Sequence, residues 1–165
     1  MTSCHHGHAD YQNSLKNAAD LLKRHDAEIG FMEIDFVNVR DNFISSHDFS
    51  HTNINAGSAL IDWVKLVVVK HEKVLWIDLK SHHDFLGLFC CDTRFKTDCK
   101  LLFKVLSRIR KIVKRRIETH IWISCQDSDV KDQLVRFNNN NGHSRNRWII
   151  VNDIPFVSNY LQQYI

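Results

Sequence analysis

The chain has 165 residues, and its hydrophobic and charged fractions, 44% and 25%, are ordinary for a globular domain. This composition excludes a disordered, collagen-like or coiled-coil chain, and no apolar stretch approaches the ~20 residues that a membrane-spanning helix requires. The 22 basic and 19 acidic side chains give a net charge of +3, which is too small to indicate nucleic-acid binding by itself.

The hydrophobic pattern predicts helices and strands that alternate along the chain. In chain order we expect a short strand at 2–5, a helix at 14–24, strands at 31–37 and 43–46, a helix at 59–70, a strand at 74–79, a helix at 98–116, a strand at 121–124, a helix at 128–137, a strand at 148–151 and a helix at 156–164. This order is typical of an α/β domain with a largely parallel sheet, and we expect one domain over residues 1–165.

Cysteine and histidine usage bears on the compartment and on the chemistry. Five cysteines without regular spacing, and first residues without a secretory signal, favour reduced thiols in a cytoplasmic protein. Imidazole titrates near neutral pH, so the 11 histidines hint at proton transfer or metal binding. Zinc ligation by Cys90, Cys91 and Cys99 lacks a C-x-x-C spacing, and such cysteines are more often small buried side chains.

Three carboxylates lie within the apolar strands. Glu33 and Asp35 are two residues apart, so they project from the same face of one strand, and Asp78 interrupts the strand at 74–79. Buried carboxylates are costly unless a cation compensates them, and a divalent Mg²⁺ or Ca²⁺ ion suits oxygen ligands. The alternative is an internal salt bridge of Lys80 with Glu33 or Asp35, although one lysine leaves an excess of negative charge.

Two histidines follow predicted strands at their carboxyl ends. His5 comes at the end of the short first strand, and His47 follows the strand at 43–46. Functional side chains of parallel α/β folds gather at the carboxyl ends of strands, so we expect both histidines to lie near the three carboxylates. Beside a metal ion, such a pair can act as general acid and general base.

Four motifs occur in a characteristic order: H-H-G at 5–7, M-E-I-D at 32–35, S-H-D at 46–48 and W-I-D-L-K at 76–80. Together they resemble the glycerophosphodiester phosphodiesterase family and, more broadly, the phospholipase-C-like phosphodiesterase superfamily with its sphingomyelinase D-like branch. The resemblance implies a TIM-barrel fold and metal-dependent cleavage of a glycerophosphodiester or phospholipid, which belongs to lipid metabolism.

The same resemblance implies a role for each matching residue. The acid and base pair would be His5 and His47, the ligands of one divalent cation would be Glu33, Asp35 and Asp78, and the phosphate-binding residues would be His6 and Lys80. His6 stands where the family usually has arginine, and a neutral imidazole would bind phosphate less firmly than a guanidinium group.

The length is too short for a complete barrel. A (β/α)₈ barrel typically has about 250 residues, whereas about six βα units fit into this chain. We therefore expect a TIM-barrel-like fold that is abbreviated, a fragment, or completed by a second subunit, because open sheet edges favour a homodimer. The alternative function is a catalytically degenerate barrel that acts as a binding or interaction module.

The predicted helix at 98–116 has a basic face, and residues 108–116 read R-I-R-K-I-V-K-R-R. A solvated outer face is the simpler interpretation. The alternative is peripheral contact with an anionic membrane, which would suit a phospholipid substrate. We expect no nucleic-acid partner, because a recognised binding motif and a stacking platform are both missing from the sequence pattern.

Overall fold

A computed structural model describes residues 3–6, 14–46, 51–80, 97–113, 120–125, 127–140 and 149–151, with residues 3–6, 51–53, 149 and 151 described by their backbone only. The strands are β1 (Ser3–His6), β2 (Ile29–Val39), β3 (Asn42–Ser45), β4 (Val74–Leu79), β5 (Ile121–Cys125) and β6 (Ile149–Val151). The helices are α1 (Leu15–Arg24), α2 (His51–Ala56), α3 (Leu60–Trp63), α4 (Cys99–Ile112) and α5 (Ser128–Asn140), and a π-helical segment (Val64–Lys70) continues α3.

The strands form one mixed sheet in the order β1-β2-β4-β5-β6, and β3 pairs with β2. All pairs along this order are parallel, whereas β3 runs antiparallel to β2. The β2–β3 hairpin turns at Arg40, whose φ of 52° lies in the left-handed region. Each parallel pair in this order is joined by a crossover connection, because a tight turn can join only antiparallel strands.

The predicted TIM-barrel-like fold is wrong. Such a barrel needs eight parallel strands closed into a cylinder. In the described part of the chain the sheet has six strands, one of them antiparallel, and β1 and β6 end the strand order without pairing with each other. The chain that leaves β2 folds back at once into β3, so this strand forms a hairpin where a barrel would continue into a helix.

Local sequence explains where the helices begin. The Ser14 side chain accepts a hydrogen bond from the backbone N–H of Asn17 at the start of α1. Asp98 caps α4 in the same way, accepting from the backbone N–H groups of Lys100 (2.8 Å) and Leu101 (3.1 Å). Helix α2 was not predicted, because its sequence H-T-N-I-N-A has no apolar periodicity. The helix predicted at 156–164 lies outside the described residues.

One face of the sheet carries the main core. Alternate residues of β2, β4 and β5 point into it, and side chains of α1, α3, the π-helical segment, α4 and α5 pack in the same cluster. Its fully buried sheet residues include Met32, Ile34, Leu75, Ile77 and Ile123. No helix in the described part is long and apolar enough to cross a membrane.

The other face of the sheet carries a smaller aromatic cluster made by Phe31, Trp76 and Trp122. The Phe31 ring centroid lies 6.3 Å from that of Trp76 and 6.1 Å from that of Trp122, at tilted angles typical of aromatic pairs. Polar residues replace aromatic ones on this face toward the carboxyl ends of the strands. The functional candidates are among these polar residues.

Truncating Ile77 tests the main core. The side chain is fully buried in a central strand, so we expect Ile77→Ala to lower the free energy of unfolding by about 2–5 kcal/mol through lost burial and a cavity. Urea denaturation measures the change. Val69→Ala is the control, because Val69 is 49% exposed and should change stability by less than about 0.5 kcal/mol. Similar losses of unfolding free energy in both variants would contradict the placement of Ile77 in the main core.

Candidate metal centre

The parallel register of β2 and β4 brings three carboxylates together. Asp35 pairs with Asp78, and Glu33, two residues before Asp35, pairs with Trp76. Paired residues of neighbouring parallel strands share a face of the sheet. One oxygen from each of Glu33, Asp35 and Asp78 lies within 4.8 Å of the others, and their exposures are only 8%, 5% and 9%. This acidic cluster could hold a metal ion.

The chemistry of the donors fits a hard divalent cation. All three are carboxylates, which are preferred ligands of Mg²⁺ and Ca²⁺. The described cluster contains no thiolate or imidazole group, the ligands that favour zinc and softer metals. The low exposure of the three residues also matters, because a cation between their carboxylates would offset the cost of burying several negative charges.

Lys80 lies among the carboxylates. Its Nζ is 2.5 Å from Asp78 Oδ2 and 3.4 Å from Asp35 Oδ1. The ion pair of Lys80 with Asp35 that the sequence offered as an alternative is therefore present, and Asp78 takes part in it as well. One ammonium group against three carboxylates leaves a net charge of −2 when all four groups are ionised, so Lys80 compensates only part of the negative charge.

The environment keeps Lys80 protonated. Burial by itself would lower the pKa of its ammonium group, but the charge and hydrogen bond of Asp78, followed by those of Asp35, outweigh burial and raise the pKa above its ordinary value of 10.5. Lys80 is therefore a fixed positive charge at the edge of the cluster over the physiological pH range.

A side-chain relay orients Asp78. Ser124 Oγ donates to Asp78 Oδ1 at 2.7 Å, and Trp76 Nε1 donates to Ser124 Oγ at 2.8 Å. Both oxygens of Asp78 are thus held, one by Ser124 and the other by Lys80. Sequence reasoning missed Ser124. The signal was the repeated spacing of W-I-D in β4 and W-I-S in β5, because the register places Asp78 opposite Ser124.

The structure describes the predicted histidines only in part. Strand β1 pairs with β2 in parallel, with the backbone of His6 in register with Glu33 and that of His5 in register with Met32. The side chains of both histidines, and the whole of His47, lie outside the described structure. The residue before His47 is described, and its backbone N–H donates to the carbonyl oxygen of Asp35 at 3.0 Å. The chain therefore passes beside the acidic cluster just before it reaches His47.

No protein-family model, no curated protein and no solved structure matches this chain. The assignment of the site therefore rests on its own geometry. The resemblance to phosphodiesterases stays a prediction from the motifs.

Replacing Ser124 tests the relay. Ser124→Ala removes the partner of a buried indole N–H and of a buried carboxylate oxygen, so we expect the free energy of unfolding to fall by about 1–3 kcal/mol. Urea denaturation measures the loss. Ser124→Thr keeps the hydroxyl group and should retain more of the stability, and Ser107→Ala, on the exposed side of α4, should change it by less than about 0.5 kcal/mol. Equal losses in the two alanine variants would contradict the relay.

Replacing Lys80 tests the balance of charge. Lys80→Met leaves the buried carboxylates without this ammonium group, and we expect the free energy of unfolding in EDTA to fall by about 3–5 kcal/mol. Added Ca²⁺ or Mg²⁺ should restore part of the loss, because either ion compensates the same charge. Lys65→Met is the control, since the Lys65–Asp62 pair is exposed and should contribute less than about 1 kcal/mol. A Lys80→Met protein as stable in EDTA as Lys65→Met would refute the assignment.

The raised pKa of Lys80 also sets the pH dependence of this difference. A group whose pKa is higher in the folded state stabilises the fold below its unfolded pKa, and this stabilisation is lost as pH rises through the folded value. The stability difference between wild type and Lys80→Met should therefore be constant near neutral pH and shrink only above pH 10.5.

Proposed function

We propose that this protein is a divalent-metal-dependent phosphodiesterase whose cation is held by Glu33, Asp35 and Asp78. The observation that supports the proposal is the convergence of these three buried carboxylates on one face of two neighbouring parallel strands, with Lys80 beside them. Mg²⁺ and Ca²⁺ are the candidate ions, because both accept several carboxylates and complete their coordination with water. The substrate class is a glycerophosphodiester or phospholipid, as the motifs predict.

The cluster supplies electrostatic catalysis. A cation bound there would stabilise the negative charge that develops on a non-bridging phosphate oxygen in the transition state. Lys80 adds a second positive charge, and its raised pKa keeps it protonated over the working pH range. Ser124 and Trp76 fix the Asp78 carboxylate, so that this ligand does not have to reorient when the substrate binds.

Proton transfer is assigned to His5 and His47. One histidine would remove the proton from the attacking hydroxyl, which belongs to water or to the substrate, and the other would protonate the leaving oxygen. One backbone position supports the assignment of His47: the preceding residue, Ser46, is hydrogen-bonded to Asp35. The assignment of His5 rests on the motifs alone, because its backbone is in register with Met32 of the main core. His6 is proposed to contact the phosphate, because its backbone is in register with Glu33.

A non-catalytic binding module is the second candidate. Lys80 already bridges Asp35 and Asp78, so the cluster contains a cation of its own. A protein that had lost catalysis could retain this ion pair as a structural element. Metal binding separates the two candidates, because a structural ion pair has no need of a metal ion.

Hydrolysis of a panel of glycerophosphodiesters and phospholipids, with Mg²⁺ or Ca²⁺ against EDTA, tests the function. We expect metal-dependent turnover that falls by about 10²–10⁴-fold in each of His5→Ala and His47→Ala, the usual contribution of a general acid or base. Asp35→Asn, which is nearly isosteric, should abolish both turnover and metal binding measured by calorimetry. The exposed Asp62→Asn is the matched control and should retain both.

The outcomes distinguish the two candidates. Turnover that persists in EDTA or in Asp35→Asn would refute the metal-dependent mechanism. A folded protein that binds neither metal ion and hydrolyses no substrate would favour the non-catalytic module.

A further inference from the structure

Helix α4 carries an exposed row of cations outside the candidate metal centre. The row consists of Lys100, Lys104, Arg108 and Lys111, all exposed. Their spacing of four, four and three residues places them along one side of the helix. At a rise of 1.5 Å per residue the row is about 16 Å long. We call it the basic row.

The positive charge of the molecule is concentrated on this helix. With Arg110, α4 contains five basic and no acidic residues. The whole chain has 22 basic and 19 acidic side chains, so 17 basic and 19 acidic side chains remain outside α4 and give a net charge of −2. Within the described residues, no side chain of the basic row forms an ion pair.

The packing of α4 against the sheet does not involve this row. The opposite side of α4 attaches the helix to the main core through buried Leu102, Val105, Leu106 and Ile109. On the exposed side, cations four residues apart repel one another and weaken the helix slightly. An anionic partner would remove this repulsion.

We propose that the basic row docks the protein on an anionic lipid surface. A flat lipid surface attracts a row of point charges without specific geometry, and three of the four residues are lysines, whose compact ammonium groups act as such charges. Because the apolar side of α4 is buried in the core, a partner can reach only the exposed side, which carries the basic row.

A nucleic-acid partner fits less well, because single strands bind on aromatic platforms. The large hydrophobic side chains exposed in the described residues are Val69 and Val135, which cannot stack with bases. The one arginine of α4 that could extend the row toward α5 is engaged there: Arg110 Cζ lies 5.2 Å from the ring centroid of Phe137. Phe137 in turn stacks on Phe103 at 4.4 Å.

The proposed docking is independent of the proposed enzymatic activity. The buried side chains of α4 pack in the cluster that holds Ile34 and Ile77, on the sheet face opposite the acidic cluster. Substitutions in the basic row should therefore leave metal binding unchanged, and failure of one proposal says nothing about the other.

Co-sedimentation of the full chain with vesicles tests the docking. We expect binding to equimolar phosphatidylserine and phosphatidylcholine, little binding to phosphatidylcholine alone, and weaker binding as salt shortens the range of electrostatic attraction. Lys104→Gln with Arg108→Gln should weaken binding to the anionic vesicles by about 25-fold, taking about fivefold for each charge near the surface.

The matched control is the double variant Lys16→Gln with Lys23→Gln, which changes the net charge equally on the exposed side of α1. It should bind vesicles within about twofold of wild type, because its lysines lie outside the basic row. Equal losses in the two double variants would show attraction by net charge alone and overturn the proposal. No binding to anionic vesicles, or tighter binding to duplex DNA or polyglutamate than to vesicles, would also overturn it.

Discussion

The register between β2 and β4 is the constraint on which the candidate site depends. With Asp35 opposite Asp78, two carboxylates must share one patch of the sheet, and the period of a strand adds Glu33 to the same face. A shift of one residue in either strand would move an acid into the main core, where no cation is described. The fold is therefore bound to this register by charge as well as by packing.

Several neighbouring groups together offset the free-energy cost of burying the three carboxylates. Lys80 supplies positive charge, and Ser124 supplies a hydrogen bond. The relay includes Trp76, which also belongs to the aromatic cluster, so a hydrogen bond connects the acidic cluster to the aromatic cluster on this face. Among the described groups of the cluster, three carboxylates surround one ammonium group, and this ratio differs from the one-to-one ratio of an ordinary buried ion pair.

The sequence predicted the local parts of this structure better than their assembly. Apolar alternation located β2, β4 and β5, and the acids within β2 and β4 indicated which side chains would meet. The barrel was predicted wrongly because it was inferred from a resemblance of four short motifs, which do not encode the pairing between distant strands that closes a barrel. Ser124 was missed because a serine in a strand is chemically unremarkable until the register places it opposite Asp78.

Other elements show the same limit. Helix α2 has no apolar stripe and forms from a polar sequence that reads as a loop. The helix predicted at 59–70 is present, but it widens into a π-helical segment from Val64 onward. Periodicity predicts that a segment is helical, but it does not predict the number of residues in each turn.

In the described part of the chain, α1, α3, the π-helical segment, α4 and α5 all pack on the same face of the sheet, opposite the acidic cluster. The exposed side of α4 and the acidic cluster therefore lie on opposite sides of the sheet. A molecule held to a bilayer by α4 would turn its carboxylates toward the aqueous phase. It would then meet diesters released into solution more readily than lipids still embedded in the supporting membrane.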